Sequence, residues 1–250
     1  MLRSRDLTWD GCLNVRDLGG HPTADGGETS FGSIVRADSV GNLTAEGWEA
    51  LADYGIRTVI DLRGDHERED DPPRELPVEV LHIPFFVASD KEWEEIAGEL
   101  EHLDDLPVSD ATRDAYLIFL ERFKPNVAAA VRAVAEAPEG GVVVHCVGGK
   151  DRTGLLTALL LHLAGVPTEE IAADYALSEE RLRPRHEGWF AAAETEAERR
   201  RLERIAQTPP ESISGVFDEL DRRYGSVEGY LRAAGVSEDD LVRARARLRD

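Results

Sequence analysis

Four short β-branched or alternating segments interleaved with stretches of helical periodicity, and a second half that reads almost wholly as helix, predict an α/β fold. The expected architecture is a central sheet of about four to five strands flanked by helices, with a helix-rich C-terminal half. At 250 residues the chain can bury a substantial core without disulfides or structural metals, so residues 1–250 are read as one domain.

Ser33–Ala37 (SIVRA) and Arg57–Leu62 (RTVIDL) are the first two strand candidates. Between them Thr44–Tyr54 carries apolar residues at helical spacing, with Thr44 placed to cap the helix. Val78–Pro84 (VEVLHIP) alternates as a third strand. The acidic stretch Asp90–Asp110 shows a weak amphipathic pattern at Trp93, Ile96, Leu100 and Leu103 and is expected to be an exposed helix inserted between sheet elements. Thr112–Ala137 is helical, divided by Pro125, because an internal proline forfeits a backbone donor and crowds the preceding turn. After Gly140 and Gly141, Val142–His145 (VVVH) is a compact apolar run suited to a buried strand. Helices follow at Arg152–Ala164, closed by Gly165, at Thr168–Leu177, through a charged stretch to Arg204, and at Ser212–Tyr224, Val227–Ala234 and Ser237–Leu248. Thr168 and Ser237 each precede acidic residues at a helix start, as capping and dipole effects favour.

The formal net charge of -21 and a pI near 4.7 argue against a nucleic-acid or anionic-membrane partner, which would be repelled at long range. Any phosphate site must then be locally positive. Cys12 and Cys146 are the only cysteines, a pattern unlike a secreted disulfide framework, and a reducing interior is expected. The N-terminal residues lack an apolar leader core, and the longest apolar run, Leu155–Ala164, is too short to span a bilayer. The expectation is a soluble, cytoplasmic protein with no integral membrane association. No His, Cys or Asp cluster has metal-ligand spacing, so no metal and no cofactor is expected. Nothing in the pattern speaks to oligomeric state.

Chemistry concentrates in His145–Gly154, HCVGGKDRTG, where a buried strand gives way to a helix. Cys146 and Arg152 enclose five residues. A loop of this length can curl so that the N–H groups from Val147 to Arg152 converge on one anion, aided by the positive end of the helix dipole. Gly148 and Gly149 permit backbone angles closed to other residues and remove Cβ atoms from the path of a phosphate. Arg152 offers a planar fork for two phosphoryl oxygens. Such surroundings favour the thiolate of Cys146, the nucleophilic form. Thr153 can donate its hydroxyl to the sulfur when the thiolate later leaves, and His145 is expected to fix the loop by hydrogen bonding. A nucleotide-binding G-x-x-x-x-G-K-[ST] loop is excluded, since it would need glycine at Val144 and a hydroxyl at Asp151.

HCVGGKDRTG resembles the signature of the tyrosine-phosphatase superfamily, and its GKDRTG ending resembles the atypical bacterial branch with tyrosine, serine/threonine and phosphoinositide phosphatase activity. NVRDLGG (Asn14–Gly20), IVRAD (Ile34–Asp38), VIDLR (Val59–Arg63), ADYALS (Ala173–Ser178) and YGSVEGYLRAAGV (Tyr224–Val236) extend the resemblance over nearly the whole chain. It implies a phosphatase-like sheet and hydrolysis of phosphate monoesters through a phosphocysteine at Cys146. Arg152 and the loop residues Val147, Gly148, Gly149, Lys150, Thr153 and Gly154 would bind the phosphoryl group. Phosphorylated protein or phosphoinositide is the implied partner.

The resemblance also implies a general acid role for Asp151; the alternative is a structural loop carboxylate. Relatives with an aspartate after the Pro-Phe that follows the third strand have no counterpart here, because Phe86 and Val87 follow Pro84-Phe85. Asp90, the nearest acid, is read either as a separate acid or, the favoured reading, as a helix cap ahead of Lys91 and Glu92. Lys150 is read either as a contact for further negative charge on the substrate or as an ordinary solvated lysine. Asp61 and Arg63 are read as an ion pair, Asn14, Arg16 and Asp17 as anchors of the N-terminal segment, and Cys12 as a small buried hydrophobe. The segments 90–110 and 179–206 are candidate helical lids. Two competing classes are a sulfurtransferase of rhodanese type, disfavoured by the longer loop, and a phosphate-binding module without activity, disfavoured by the joint presence of Cys146, Asp151 and Arg152.

Overall fold

Among the described residues, strand β5, Gly141–His145, lies at the middle of a five-stranded sheet of order β1 (Arg16–Asp17), β2 (Ile34–Ala37), β5, β3 (Ile56–Asp61), β4 (Glu79–His82). A computed structural model describes residues 4–69, 71 and 78–249. β5 runs parallel to β2 (Ile34–Ala37) and to β3 (Ile56–Asp61), and β4 (Glu79–His82) extends the parallel set. Among the described strands β1 alone is antiparallel, pairing Arg16 with Arg36 and Asp17 with Val35. This strand of two residues was not expected from sequence, because RD carries no apolar alternation to announce it.

The period of two in β5 divides its valines between two layers. Val142 and Val144 join the larger core with Cys146, while Val143 faces the smaller one with Trp9, Trp48 and Leu51. All three valines are fully buried, worth about 1.5–3 kcal/mol each in hydrophobic transfer. The smaller layer is closed by α1, Ala45–Asp53, whose cap is Thr44 as expected, its side chain accepting from the Gly47 N–H at 3.2 Å. The larger layer holds α5, Arg152–Leu163, which is apolar on every side and buried along nearly its whole length.

The acidic segment departs from expectation. Helix α2 covers Asp90–Leu100, a 3₁₀ turn covers Glu101–Asp105, and α3 begins at Val108 after Pro107. Ser89, not Asp90, caps α2 through a reciprocal pair with Glu92. The break attributed to Pro125 falls at Phe123, between α3 (Val108–Arg122) and α4 (Lys124–Glu136); the proline sits in the first turn of α4, where its missing N–H has no partner to lose. Thr168 opens α6 (Thr168–Arg181) without a capping bond, whereas Ser237 caps α11 (Glu238–Arg249) by accepting from Asp240 N–H at 3.1 Å. The charged stretch resolves into α7 (Arg183–Ala192) and α8 (Glu196–Ala206), and α9 (Pro210–Tyr224) and α10 (Val227–Ala234) complete the helical half. Among the described residues no helix is long and apolar enough to cross a membrane.

The sheet is tied to the helical layer by a buried charge cluster. Asp174 on α6 accepts from Arg16 Nε at 2.9 Å and from Arg36 Nη1 at 2.7 Å, all three side chains being almost fully buried. Burial alone would raise the Asp174 carboxyl, but Arg16 and Arg36 prevail and hold it well below the usual carboxylate range. Its stabilising contribution is therefore complete above the ordinary carboxylate pKa and is lost as pH falls through the depressed folded value. Asp174→Asn would strand two buried guanidiniums, and a loss of about 3–5 kcal/mol is expected by denaturant unfolding near neutral pH. A loss under about 1 kcal/mol would show that the cluster is not what ties the layers.

Candidate active site

Cys146 follows the last residue of β5, and the chain curls through Val147–Asp151 before entering α5 at Arg152. The loop thus stands at the carboxyl ends of the parallel strands and at a helix N-terminus, the position where α/β sheets bind anionic ligands. Its carbonyls are pinned from outside. Val147 O accepts from Ser39 N–H at 3.1 Å and from Arg185 Nη1 at 3.1 Å. Gly148 O and Gly149 O accept from Asn14 Nδ2 at 3.0 and 3.2 Å, and Gly149 O also from Arg36 Nη2 at 2.7 Å. Carbonyl and N–H of one peptide unit point opposite ways, so pinning these three carbonyls turns the N–H groups of Gly148, Gly149 and Lys150 to the other side of the curl. Among the described residues none of the N–H groups of residues 147–152 donates to a protein acceptor. That row of donors beside Cys146 is suited to a tetrahedral anion.

The two loop glycines are not equivalent. Gly149 has φ +63°, and a Cβ there would lie 2.4 Å from Ala37 O, a backbone atom of β2. At Gly148 a Cβ would find its nearest neighbour, Leu182 Cδ1, at 3.8 Å, so space does not require glycine there. Gly149→Ala is expected to destabilise the fold by more than about 1 kcal/mol and to remove phosphate binding, while Gly148→Ala folds normally. Thermal unfolding with and without inorganic phosphate reads both; equal behaviour of the two variants would contradict this account.

Arg152 is held by a partner that the sequence did not reveal. Its guanidinium makes a two-pronged pair with Glu67, Nη2 to Oε1 at 2.7 Å and Nη1 to Oε2. Glu67 lies on the 3₁₀ turn Asp65–Arg68 after β3, and its Oε2 also accepts from Gly64 N–H at 2.7 Å. Burial works against the charge on Arg152, but Glu67 and then Cys146 outweigh it, so the guanidinium stays firmly protonated. Glu67 in turn is held below the usual carboxylate range by Arg152, against the opposing effect of burial.

The Asp151 carboxylate is half-exposed and accepts from the buried Tyr116 hydroxyl at 2.6 Å; Tyr116 lies 2.9 Å, oxygen to oxygen, from Tyr175. Burial and the Asp151 charge raise the phenol of Tyr116 well above its ordinary value. Beside Asp151 an open-sided groove of about 310 Å³ is lined mainly by apolar side chains, Leu103, Val108, Tyr116, Phe119 and Ile205 among them. Lys150 is not a solvated lysine: it is largely buried, its Nζ donates to Ile205 O at the end of α8, and it stands 3.6 Å from Asp151. Arg204 Nη2 donates to Leu106 O at 2.9 Å, tying α8 to the segment before α3. Arg185 of α7 reaches Asp38 Oδ2 at 2.6 Å as well as the loop. Both candidate lid segments therefore touch the rim of the site.

Thr153 is buried, and among the described residues its hydroxyl has no hydrogen-bond partner, the Cys146 sulfur included. Gly154 packs against Tyr175 and Arg36. His145 Nδ1 lies 3.2 Å from Cys146 O, and Nε2 lies 3.6 Å from Asp61 Oδ1; burial lowers the imidazole's pKa in spite of Asp61. Asp61 and Arg63 form the expected pair, Nη2 to Oδ2 at 2.8 Å. Asn14 and Arg16 do more than anchor their segment: Arg16 Nη1 donates to Asn14 Oδ1 at 2.6 Å and so orients the amide that holds the loop. Asp17 accepts from Gly19 and Gly32 N–H, each at 2.7 Å. Cys12 is half-buried rather than enclosed, and its Sγ donates to Ser39 O at 3.3 Å; burial, then Asp38, pushes its thiol pKa upward. Asp90 stands in the first turn of α2, without a capping bond of its own.

A model of the tyrosine phosphatase family matches residues 7–250 of the chain. A tyrosine-protein phosphatase of Nostoc commune is 29% identical, the match covering 86% of this chain and 74% of that protein. The triple specificity protein phosphatase PtpB of Mycobacterium tuberculosis is 27% identical, over 95% of this chain and 97% of its own length.

Proposed function

We propose that this chain, which belongs to the tyrosine phosphatase family, hydrolyses phosphate monoesters through a covalent phosphocysteine at Cys146. The observation that carries the reading is the loop of residues 147–152: the carbonyls of Val147, Gly148 and Gly149 are held by Arg185, Asn14 and Arg36, and among the described residues the loop amides, beside a cysteine and an arginine, have no protein acceptor. The amides and Arg152 hold the phosphoryl oxygens. The Cys146 thiolate attacks phosphorus; a P–S bond forms, the P–O ester bond breaks, and the leaving oxygen takes a proton from Asp151. Asp151, now a carboxylate, removes a proton from water, which attacks phosphorus and releases inorganic phosphate as the P–S bond breaks. Thr153 supports the departing thiolate by donating its hydroxyl to the sulfur.

Phosphotyrosine is the first substrate class. Phosphoserine, phosphothreonine and phosphoinositide esters belong to the same range, because the acid stands at an open-sided groove that does not confine the leaving group to an aryl ring. The chain acts as one domain: residues from Asn14 to Ile205 converge on the loop. Free thiols at Cys12 and Cys146 suit a reducing, cytoplasmic setting. The segments 90–110 and 179–206 act as covers that shift when bulky substrates enter.

The test is phosphate release without added metal from phosphotyrosine, phosphoserine and phosphoinositide substrates, with rapid-quench mass analysis of the peptide bearing Cys146. Turnover with a transient phosphoryl group on that peptide is expected, and Asp151→Asn should slow alkyl esters by about 10²- to 10⁴-fold. Binding of phosphate with no turnover on any substrate would replace the enzyme by a binding module. On protein nicked within 179–206, an unchanged KM for bulky substrates would remove the covers.

A further inference from the structure

Asp151 occupies the position just before α5 where an aspartate ordinarily accepts from the second or third N–H of the helix, yet it makes no such capping bond. Its carboxylate turns instead to a buried hydroxyl, accepting from Tyr116 at 2.6 Å. Tyr116 is the donor in that contact; its one proton is committed there, and the 2.9 Å contact with Tyr175 is then a bond donated by Tyr175 to the Tyr116 oxygen. The chain of hydroxyls runs Tyr175 to Tyr116 to Asp151 Oδ1.

We infer that Tyr116, backed by Tyr175, is a positioning residue for the general acid, holding Oδ1 so that Oδ2 carries the proton exchanged with the leaving group and later with water. The inference rests on the acid role of Asp151 proposed above. Among the described residues, apart from Tyr116, the Asp151 carboxylate has only Lys150 Nζ at 3.6 Å, too far to fix its plane. Because Tyr175 fills the acceptor side of Tyr116, a proton on Oδ1 would meet a hydroxyl already pointing at it, and Oδ2 is favoured. Misplacement of a proton donor by a fraction of an ångström costs rate rather than binding.

The experiment compares kcat/KM for an alkyl ester, a phosphoserine peptide, with that for p-nitrophenyl phosphate, whose leaving group needs little protonation. Tyr116→Phe keeps the ring and removes the hydroxyl. It should lower kcat/KM for the peptide by about tenfold or more, a part of the about 10²- to 10⁴-fold owed to the acid, with far less effect on the aryl ester. In the Asp151→Asn background the same substitution should add nothing. An equal loss on both substrates, or a full further loss in the Asp151→Asn background, overturns the inference. If Asp151→Asn itself leaves the alkyl-to-aryl ratio unchanged, the acid assignment is what fails. Should Tyr116→Phe not fold, Tyr175→Phe decides: a smaller shift in the same ratio supports the chain of hydroxyls, and an unchanged ratio overturns it.

Discussion

Cys146→Ser is expected to abolish turnover on every substrate while leaving phosphate binding nearly intact. A serine hydroxyl at this site is a far weaker nucleophile than a thiolate, and a loss on the order of 10⁴- to 10⁶-fold follows from removing a covalent nucleophile. The other cysteine cannot substitute, since Cys12 is engaged with Ser39 O and burial raises its thiol pKa. In the proposed site the anion is held by backbone amides and Arg152, none of which the substitution alters. Calorimetric titration with inorganic phosphate should therefore give an affinity close to that of the wild type. Residual turnover within tenfold of wild type would sink the phosphocysteine reading.

The second large effect is expected for Arg152→Lys. Charge is conserved, but the planar fork is lost, and with it both the two-pronged grip on Glu67 and the paired bonds to a spreading phosphoryl charge. A fall in kcat/KM of about 10²- to 10³-fold is expected, as when one preorganised donor is removed from a transition-state site. Glu67, left opposite a point charge, no longer fixes the group in front of Cys146. Steady-state kinetics on an aryl ester reads this; activity within threefold of wild type would mean that charge alone suffices.

The centre of the site was legible because it is contiguous. A β-branched run, a glycine-bearing turn and an apolar helix follow one another from Val142 to Leu163, and each announces itself by local pattern. What braces that centre was not legible. Glu67 precedes Arg152 by 85 positions, and Tyr116 precedes Asp151 by 35, with no motif around either. Asn14 was noticed but assigned to its own segment, since nothing local shows that its amide reaches Gly148 and Gly149 across 134 and 135 positions. Strand β1 is too short to carry a period, and the acidic helix ends early because Pro107 and the 3₁₀ turn ahead of it override a weak amphipathic signal. Lys150 looked like a rim cation because sequence cannot tell that the end of α8 returns to meet it.

The outward grip on the loop carbonyls comes from an N-terminal residue, a residue of the second strand and a residue of the seventh helix. The proposed anion seat is consequently not a portable motif. A peptide with the sequence HCVGGKDRTG, or the same residues transplanted onto another strand–helix junction, would bring the nucleophile without the seat. Losing residues 4–15, or a nick that frees Arg185, should disarm the chain while the ten signature residues remain in place. In the proposed site, phosphate affinity should read the integrity of contacts made by residues 14, 36 and 185 as much as that of the loop that touches the ligand.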